Sequence, residues 1–577
     1  MGLADHRGVL DDLVEREDIA DVVVIGSGYG AGVCAARLAE AGAKVYVLER
    51  GLEFTAGKFP SKLQEILHNV QLDNSWFGSE HRLGLYNCHI GADLDVLVGC
   101  GLGGTSLINA NVTIKPEPWV FEQDAQWPEA IRSEARSGKL DSYFQRAWDV
   151  LQPSKFPAAR RTPLKLAAME GHGGARCDIN VHFDRSEKKN SIGIPQRPCT
   201  SCGNCVTGCN HRAKKTLCFT YLPIAKSFGA KILVRCDVQH LARSGKLWDV
   251  YYQRLEDDAR HAGPIQRLRA KTVIVAAGVM GTAGILLRSR DLGLSLASGL
   301  GTKFSGNGDA IAFAFDCAQR LDSVGRPRGN AKHPTGATIL GMIQRPTADP
   351  RDSVLIEEGA FPSGTAGALR KALGAVALLS GQDTRHGFLD KLRGWIDRLR
   401  DFFDVHTEDG ALNRTLLFLL MGHDGAAGTV ELDPRGRAKV RWPGLHKLDL
   451  FAREDALAHA LTEKLGGTFV RDPLNARIFM NNLITVHPLG GGAMGDDGAA
   501  TVDHAGRVRD NAGEVQRGLY VADASVIPTS LGVNPLWTIS ALAERIAAHV
   551  AVDLGHAATL DQVRASSTLK PGTTVSP

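Results

Sequence analysis

The chain is 577 residues long, which allows two to four domains or one large two-domain enzyme. Its apolar fraction of 44% supports a sizeable core and excludes wholesale disorder. The net charge of +4 is small and no long Lys/Arg run occurs, which argues against nucleic-acid binding. Residues 1–18 lack the apolar core of a secretory signal. No run of about 18 uncharged apolar residues predicts a transmembrane helix. The expected location is the cytoplasm, with peripheral contact at the inner membrane as the alternative. Eleven cysteines include one dense cluster; in a reducing compartment such a cluster reads as a metal or redox site, not a disulfide frame.

Asp21 to Ile25 is a β-branched run suited to a buried parallel strand. Gly26-Ser27-Gly28-Tyr29-Gly30-Ala31 follows at once, then a helical pattern through Val33, Ala36, Leu38 and Ala39. Gly42 breaks the helix, Lys44 to Leu48 is a second strand, and Glu49 ends it. Each part has a task. Gly26 permits the tight turn, Gly28 lets backbone approach a pyrophosphate, and Ala31 lets the helix pack on the strand. The helix N-terminus offers free N–H groups to phosphate. Glu49, roughly 20 residues on, suits ribose hydroxyls and disfavours a 2′-phosphate. This fingerprint alone does not separate FAD from NAD.

Further on, Gly101, Gly103 and Gly104 let main chain lie against a flat ring where side chains would clash. Cys199-x2-Cys202-x2-Cys205-x3-Cys209 has the spacing of a bacterial iron–sulfur ligand run. Gly203 and Gly208 supply its turns, but Asn210 replaces the usual trailing proline, and Cys177 or Cys218 could join the set. A 4Fe-4S cluster, zinc and a structural or redox-active thiol loop all remain open here. A cluster would let electrons leave a flavin singly and favour a dehydrogenase over an O2-consuming oxidase. Phe388, Leu389, Leu392, Trp395, Ile396, Leu399, Phe402 and Phe403 lie at helical spacing, beside a face of balanced charge. They predict a core-facing helix, with a lid or membrane-grazing helix as the alternative. Leu416 to Met421 reads as a buried strand ended by Gly422. The polar tail after Asp561 is expected to fray.

Gly99-Cys100-Gly101-Leu102-Gly103-Gly104-Thr105-Ser106-Leu107-Ile108-Asn109 resembles the flavin-contacting loop of the glucose–methanol–choline (GMC) oxidoreductases. Val273 to Thr282 resembles that family's strand and turn before a helix, and His487-Pro488-Leu489-Gly490-Gly491 its catalytic histidine loop. Tyr520 to Ser525, and Gly532-Val533-Asn534-Pro535, resemble its C-terminal flavin segment. The similarity runs from about Asp21 to Ala547 in the family's order, and is nearest the cholesterol-oxidase-like branch through Gly28-Tyr29-Gly30-Ala31 and Gly532 to Pro535.

The resemblance implies an α/β fold. A discontinuous Rossmann-type FAD domain would comprise residues 1–115, 216–310 and 487–577. A substrate domain, on a mixed or antiparallel sheet backed by helices, would comprise 116–215 and 311–486. The Cys-rich loop 199–209 and an insertion at 363–412 belong to the second. It implies FAD contacts from Gly26, Gly28, Tyr29, Gly30, Ala31, Glu49, Gly101, Gly103, Gly104, Ser106, Asn109, Val238, Gly278, Asp523, Ala524, Asn534 and Pro535. Asp523 is expected to hold a ribityl or phosphate-linked hydroxyl, and Pro535 to fix the angle of Asn534.

It also implies oxidation of a CH–OH group by hydride transfer to the flavin, for which the protein must accept the hydroxyl proton. His487 is the first candidate, as base or hydrogen-bond partner, and Asn534 is the second polar group. Ser353 to Pro362 resembles the segment carrying the active-site glutamate of cholesterol oxidases. That makes Glu357 the base of an isomerisation, or an aid to oxidation, with Glu358 as a competing register. The expected substrate is a bulky hydrophobic, sterol-like alcohol, and the acceptor is O2 or a protein or quinone. A long-chain or sugar-derived alcohol dehydrogenase working through a cluster is the alternative, and a non-catalytic redox sensor the minor one.

Overall fold

A computed structural model describes residues 2–5, 19–73, 82–256, 261–329, 332–345, 347–384, 410–471, 483–559 and 569. The Phe388–Phe403 stripe and nearly all of the tail after Asp561 lie outside the described residues.

In chain order, the elements that build the site are β1 (Ile19–Ile25), α1 (Tyr29–Glu40), β2 (Val45–Leu48), β3 (Lys231–Leu233), β4 (Cys236–Ser244), β5 (Leu247–Leu255), β6 (Ala262–Val275), α2 (Gly278–Asp291), β7 (Ala310–Phe315), β8 (Gly341–Arg345), β9 (Val354–Gly359), β10 (Leu416–Met421), α3 (Asp449–Leu465), β11 (Thr468–Arg471), β12 (Val515–Val521) and α4 (Leu536–Asp553). The first sheet runs β4-β5-β6-β1-β2-β3, with β12 also against β6. Its centre is parallel: β1 pairs with β2 and β6, β2 with β3, and β6 with β12. Val22, Val23 and Val24 are fully buried, as an apolar run must be when helices cover both faces of a parallel sheet. The long β6 changes partner along its length, taking β5 antiparallel over Ala262–Ala270 and β12 over Val273–Val275.

The C-terminal helix α4 is tied to α1 by buried charge. Arg37 Nη2 lies 2.9 Å from Glu544, Arg37 Nη1 lies 2.7 Å from Glu40, and the Tyr221 hydroxyl donates to Glu544 at 2.9 Å. Losing one partner of such a pair strands a buried charge and costs about 3–5 kcal/mol.

The second sheet is antiparallel, in the order Gln382–Asp383, β11, β7, β10, β9, β8, Ala175–Arg176. Side chains alternate across it. Val354 and Ile356 of β9 pack with Leu450 and Leu461 of α3, whereas Leu355, Leu419 and Met421 join the large core shared with the first sheet. The expected buried strand at Leu416–Met421 is β10. No described helix is long and apolar enough to cross a membrane.

Candidate active site

The first glycine turn follows β1 directly. Gly26 has φ +99°, and a Cβ there would lie 2.2 Å from the Ala276 carbonyl oxygen. The turn is therefore set by contact with the end of β6. Gly30 is fixed the same way, since a Cβ would lie 1.9 Å from the Ala522 carbonyl oxygen. Gly28 differs: an added Cβ meets nothing within 4 Å. It caps α1 at its N-terminus, so the open space lies where helix N–H groups favour a phosphate. The Gly101–Gly104 loop lies on this turn, because a Cβ on Gly104 would come 2.8 Å from the Gly28 Cα. Ser27 stitches the two. Its Oγ donates to Glu49 Oε2 at 2.5 Å and accepts from the Gly103 N–H at 2.9 Å.

The other expected FAD residues surround this turn. Glu49 is buried and also accepts from the Gly51 N–H at 2.7 Å. Burial pushes its carboxyl above the usual range, against those hydrogen bonds. Val238 is buried on β4, whose first residue Cys236 donates its N–H to the Glu49 carbonyl. Asn109 donates to the Tyr29 hydroxyl at 3.0 Å, while its own Oδ1 is buried without a partner. Ser106 donates to the Gly103 carbonyl at 2.6 Å. Asp523, expected to hold a cofactor hydroxyl, accepts four hydrogen bonds from protein. One oxygen accepts from the Gly278 N–H and the Thr282 hydroxyl at 2.8 and 2.6 Å. The other accepts from the N–H and hydroxyl of Ser525. It clamps the start of α2 to the Ala524–Val526 turn, and the Ala524 carbonyl accepts from the Gly490 N–H of the histidine loop at 3.1 Å. The open space beside Gly28, the stacked glycine loops and the orphan Asn109 oxygen all fit a bound FAD.

Paired strands bring His487 to the glycine loop. Leu483–Thr485 runs parallel to Leu94–Gly99, with Thr485 opposite Val96, so Gly99 and His487 emerge from the same end. Asp309 then fixes the ring. Its Oδ1 accepts from His487 Nδ1 at 2.9 Å; its Oδ2 accepts from the N–H groups of Val486 and His487 at 2.8 and 3.0 Å and from the Thr485 hydroxyl at 3.0 Å. With Nδ1 donating, Nε2 is the ring nitrogen with a free lone pair. Burial pulls the imidazole pKa down, but the charge and hydrogen bond of Asp309, with Glu357, outweigh it and hold it above the ordinary value.

Asn534 and Glu357 meet. Asn534 Nδ2 donates to Glu357 Oε2 at 3.2 Å, and Asn534 Oδ1 and Glu357 Oε1 are buried without partners. Pro535 follows at the head of α4. Burial pushes Glu357 up to about 8, against the Asn534 hydrogen bond and the His487 charge. Glu358 points to the opposite face, where it pairs with buried Lys165 and accepts from the N–H groups of Leu340 and Gly341 at 2.9 and 3.0 Å. Of the two registers, Glu357 is the one brought to Asn534.

Three residues were not anticipated from sequence. Asp309 is one. Asn307 is another: its Oδ1 accepts from the N–H groups of Leu531 and Gly532 at 2.9 and 3.1 Å and its Nδ2 donates to the Val533 carbonyl at 3.0 Å, which sets the segment bearing Asn534. The third, His423, stands just past β10. Its ring lies 4.8 Å from Trp119, and a Cβ on Gly532 would come 2.7 Å from its Nε2. Burial lowers its pKa to about 4. The only sequence signal was position: Asn307-Gly308-Asp309 is a turn before a strand, and His423 closes one.

The four cysteines of the run line one pocket, whereas Cys177 and Cys218 do not line it. All eleven cysteines are free thiols. Among the described residues no group of three or more His, Cys, Asp or Glu that could hold a metal ion is found, so neither the iron–sulfur cluster nor the zinc expected of the run has support from that grouping. Cys218 instead donates to the Leu102 carbonyl at 3.1 Å. Cys177 lies in another part of the chain's core, near Glu357 and Glu358.

Comparison with known proteins agrees with this geometry. Models of the N- and C-terminal regions of GMC oxidoreductases match residues 81–294 and 455–543, more than half the chain between them. The cholesterol oxidase of Mycobacterium tuberculosis is 28% identical, covering 91% of this chain and 90% of that protein. The cholesterol oxidase of Acinetobacter baumannii is 25% identical, covering 92% and 94%. A long-chain-alcohol oxidase of Arabidopsis thaliana is 24% identical, covering 92% and 68%. Among solved structures, pyridoxine 4-oxidase from Mesorbium loti shares the fold with a TM-score of 0.58 at 17% identity, covering 92% of this chain and 99% of that one. The chain belongs to the GMC oxidoreductase family, FAD-dependent enzymes that act on the CH–OH group of their donors.

Proposed function

We propose that the protein oxidises a bulky, apolar alcohol of the sterol or long-chain type. The observation that carries this is the Asp309–His487 pair, whose ring leaves Nε2 without a partner among the described residues, electrostatically coupled to the Asn534–Glu357 pair through His487 and Glu357. FAD, when bound, supplies the hydride acceptor. His487 Nε2 takes the hydroxyl proton, and Asp309 stabilises the imidazolium that forms. The Asn534 amide orients the hydroxyl or the reduced ring. Glu357, with its pKa at about 8, can take and return a proton near neutral pH, as isomerisation of an oxidised product requires. The apolar substrate class is supported by the names of the relatives, cholesterol oxidases and long-chain-alcohol oxidases.

A second reading keeps the site and changes the acceptor, from O2 to a protein or quinone reached through an iron–sulfur centre. The cysteine pocket favours it. Anaerobic mixing with a sterol, a long-chain alcohol and a sugar alcohol tests the substrate class. Flavin bleaching by the first or second is expected; bleaching by the sugar alcohol alone overturns the apolar assignment. Turnover with an artificial dye but not with O2 selects the second reading.

A further inference from the structure

The alcohol site leaves one motif unused, the cysteine run from Cys199 to Cys209. We propose that Cys199, Cys202, Cys205 and Cys209 hold an iron–sulfur cluster seated on the back of the Gly101–Leu107 loop. The proposal does not depend on the alcohol reading.

The four cysteines, buried or half-buried, surround a space and do not fill it. The pocket they line is partly open to solvent. The loop wraps it through left-handed backbone at Ser201, Gly203 and Gly208, with φ of 57°, 74° and 96°. Such an arrangement suits a cluster better than a single ion. A zinc ion with Zn–S bonds of about 2.3 Å would need tetrahedral sulfurs about 3.8 Å from one another, and no group that could hold such an ion is found among the described residues. A cluster interposes its own iron and sulfide atoms, so its cysteines stand apart around a hollow.

Charge points the same way. Lys214 lines the pocket and is 1% exposed, and among the described residues its Nζ bonds only to the carbonyls of Leu107 and Cys205, at 3.1 and 3.2 Å. A buried ammonium served only by carbonyls is costly unless a negative charge lies near. Four thiolates around a cluster supply a net negative charge at that place. Asn210, where a proline was expected, pins the loop from below: its Oδ1 accepts from the N–H groups of Gly57 and Phe59 at 2.8 and 2.9 Å. Lys214 and Cys218 both reach carbonyls of the glycine loop, those of Leu107 and Leu102. The pocket is thus one layer of protein from the loop expected to face the flavin, which is where a one-electron carrier would serve it.

The test uses the full chain purified without oxygen, and again after anaerobic incubation with ferrous iron and sulfide. About four iron and four acid-labile sulfide per chain are expected, with a paramagnetic signal on reduction. Cys202→Ser should lose most of this iron while Cys88→Ser keeps it, flavin content and circular dichroism checking the fold. Lys214→Met should keep the iron and move the centre's midpoint potential to a more negative value. Stoichiometric zinc, or wild-type protein that stays iron-free after reconstitution with its thiols free or in disulfides, overturns the proposal. Iron-free protein whose flavin is still bleached by an alcohol would sink this inference and leave the alcohol reading standing. Iron-loaded protein that no alcohol bleaches would do the reverse.

Discussion

Asp309→Asn is the substitution that presses hardest on the histidine assignment. The carboxylate accepts from the ring Nδ1 with one oxygen and from Thr485, Val486 and His487 with the other. An asparagine keeps the volume but has a single acceptor oxygen. Two backbone N–H groups compete for it, so its NH2 turns to the imidazole and Nδ1 must become an acceptor. The proton then sits on Nε2, which no longer has a lone pair for the alcohol. Loss of a general base costs roughly 100- to 10,000-fold, or about 2.7–5.4 kcal/mol of transition-state stabilisation. The pH profile should move as well. Asp309 raises the imidazole pKa, and the base must be neutral, so its removal shifts the acidic limb of kcat/KM to lower pH while the plateau falls. Stopped-flow flavin reduction under anaerobic conditions reads both effects, with flavin content as the check on folding. Wild-type reduction rates with an unmoved limb would refute the base assignment.

Other outcomes follow from the same geometry. Gly28→Ala should fold and lose flavin, since its Cβ meets only open space, whereas Gly30→Ala should fail to fold because its Cβ would lie 1.9 Å from a carbonyl oxygen; circular dichroism and flavin absorbance separate the two. Asn534→Ala should slow flavin reduction at least tenfold, a loss of about 1.4 kcal/mol, and raise the Glu357 pKa further by removing the hydrogen bond that lowers it. Glu357 has its folded pKa raised from 4.5 to about 8, so the stability it contributes is complete below 4.5 and is lost as pH rises through about 8. Wild-type melting temperature should therefore fall across that window relative to Glu357→Gln, and parallel curves would show that Glu357 is ionised throughout. If Glu357 serves isomerisation, the same variant should keep oxidation and lose isomerised product in chromatography.

The sequence was most readable where backbone meets backbone. Gly26, Gly30, Gly104 and Gly490 are dictated by contacts under 3 Å that any Cβ would make, so their pattern survives in the letters. His487 stood out because His487 to Gly491 resembles the family's histidine loop. Asp309 was not, because it acts on a residue 178 positions away, and a Gly-Asp pair before a strand looks like an ordinary turn. The choice between Glu357 and Glu358 needed the sheet. Neighbours on a strand face opposite sides, and only pairing with β8 and β10 shows which side holds Asn534. The clamp that Asp523 makes between Gly278, Thr282 and Ser525 was not legible, since a carboxylate that joins two turns and one that binds a hydroxyl are spelled alike.

On this reading the chain carries FAD and reduces it with an apolar alcohol through His487. The most direct measurement is the anaerobic visible spectrum of the purified protein, recorded before and after adding a sterol or long-chain alcohol, for wild type and His487→Ala. A flavin spectrum is expected in both proteins, bleached by alcohol in wild type, with bleaching slowed by roughly 100-fold or more in the variant. A protein that binds no flavin, or a flavin that an alcohol bleaches equally fast without His487, would contradict this reading.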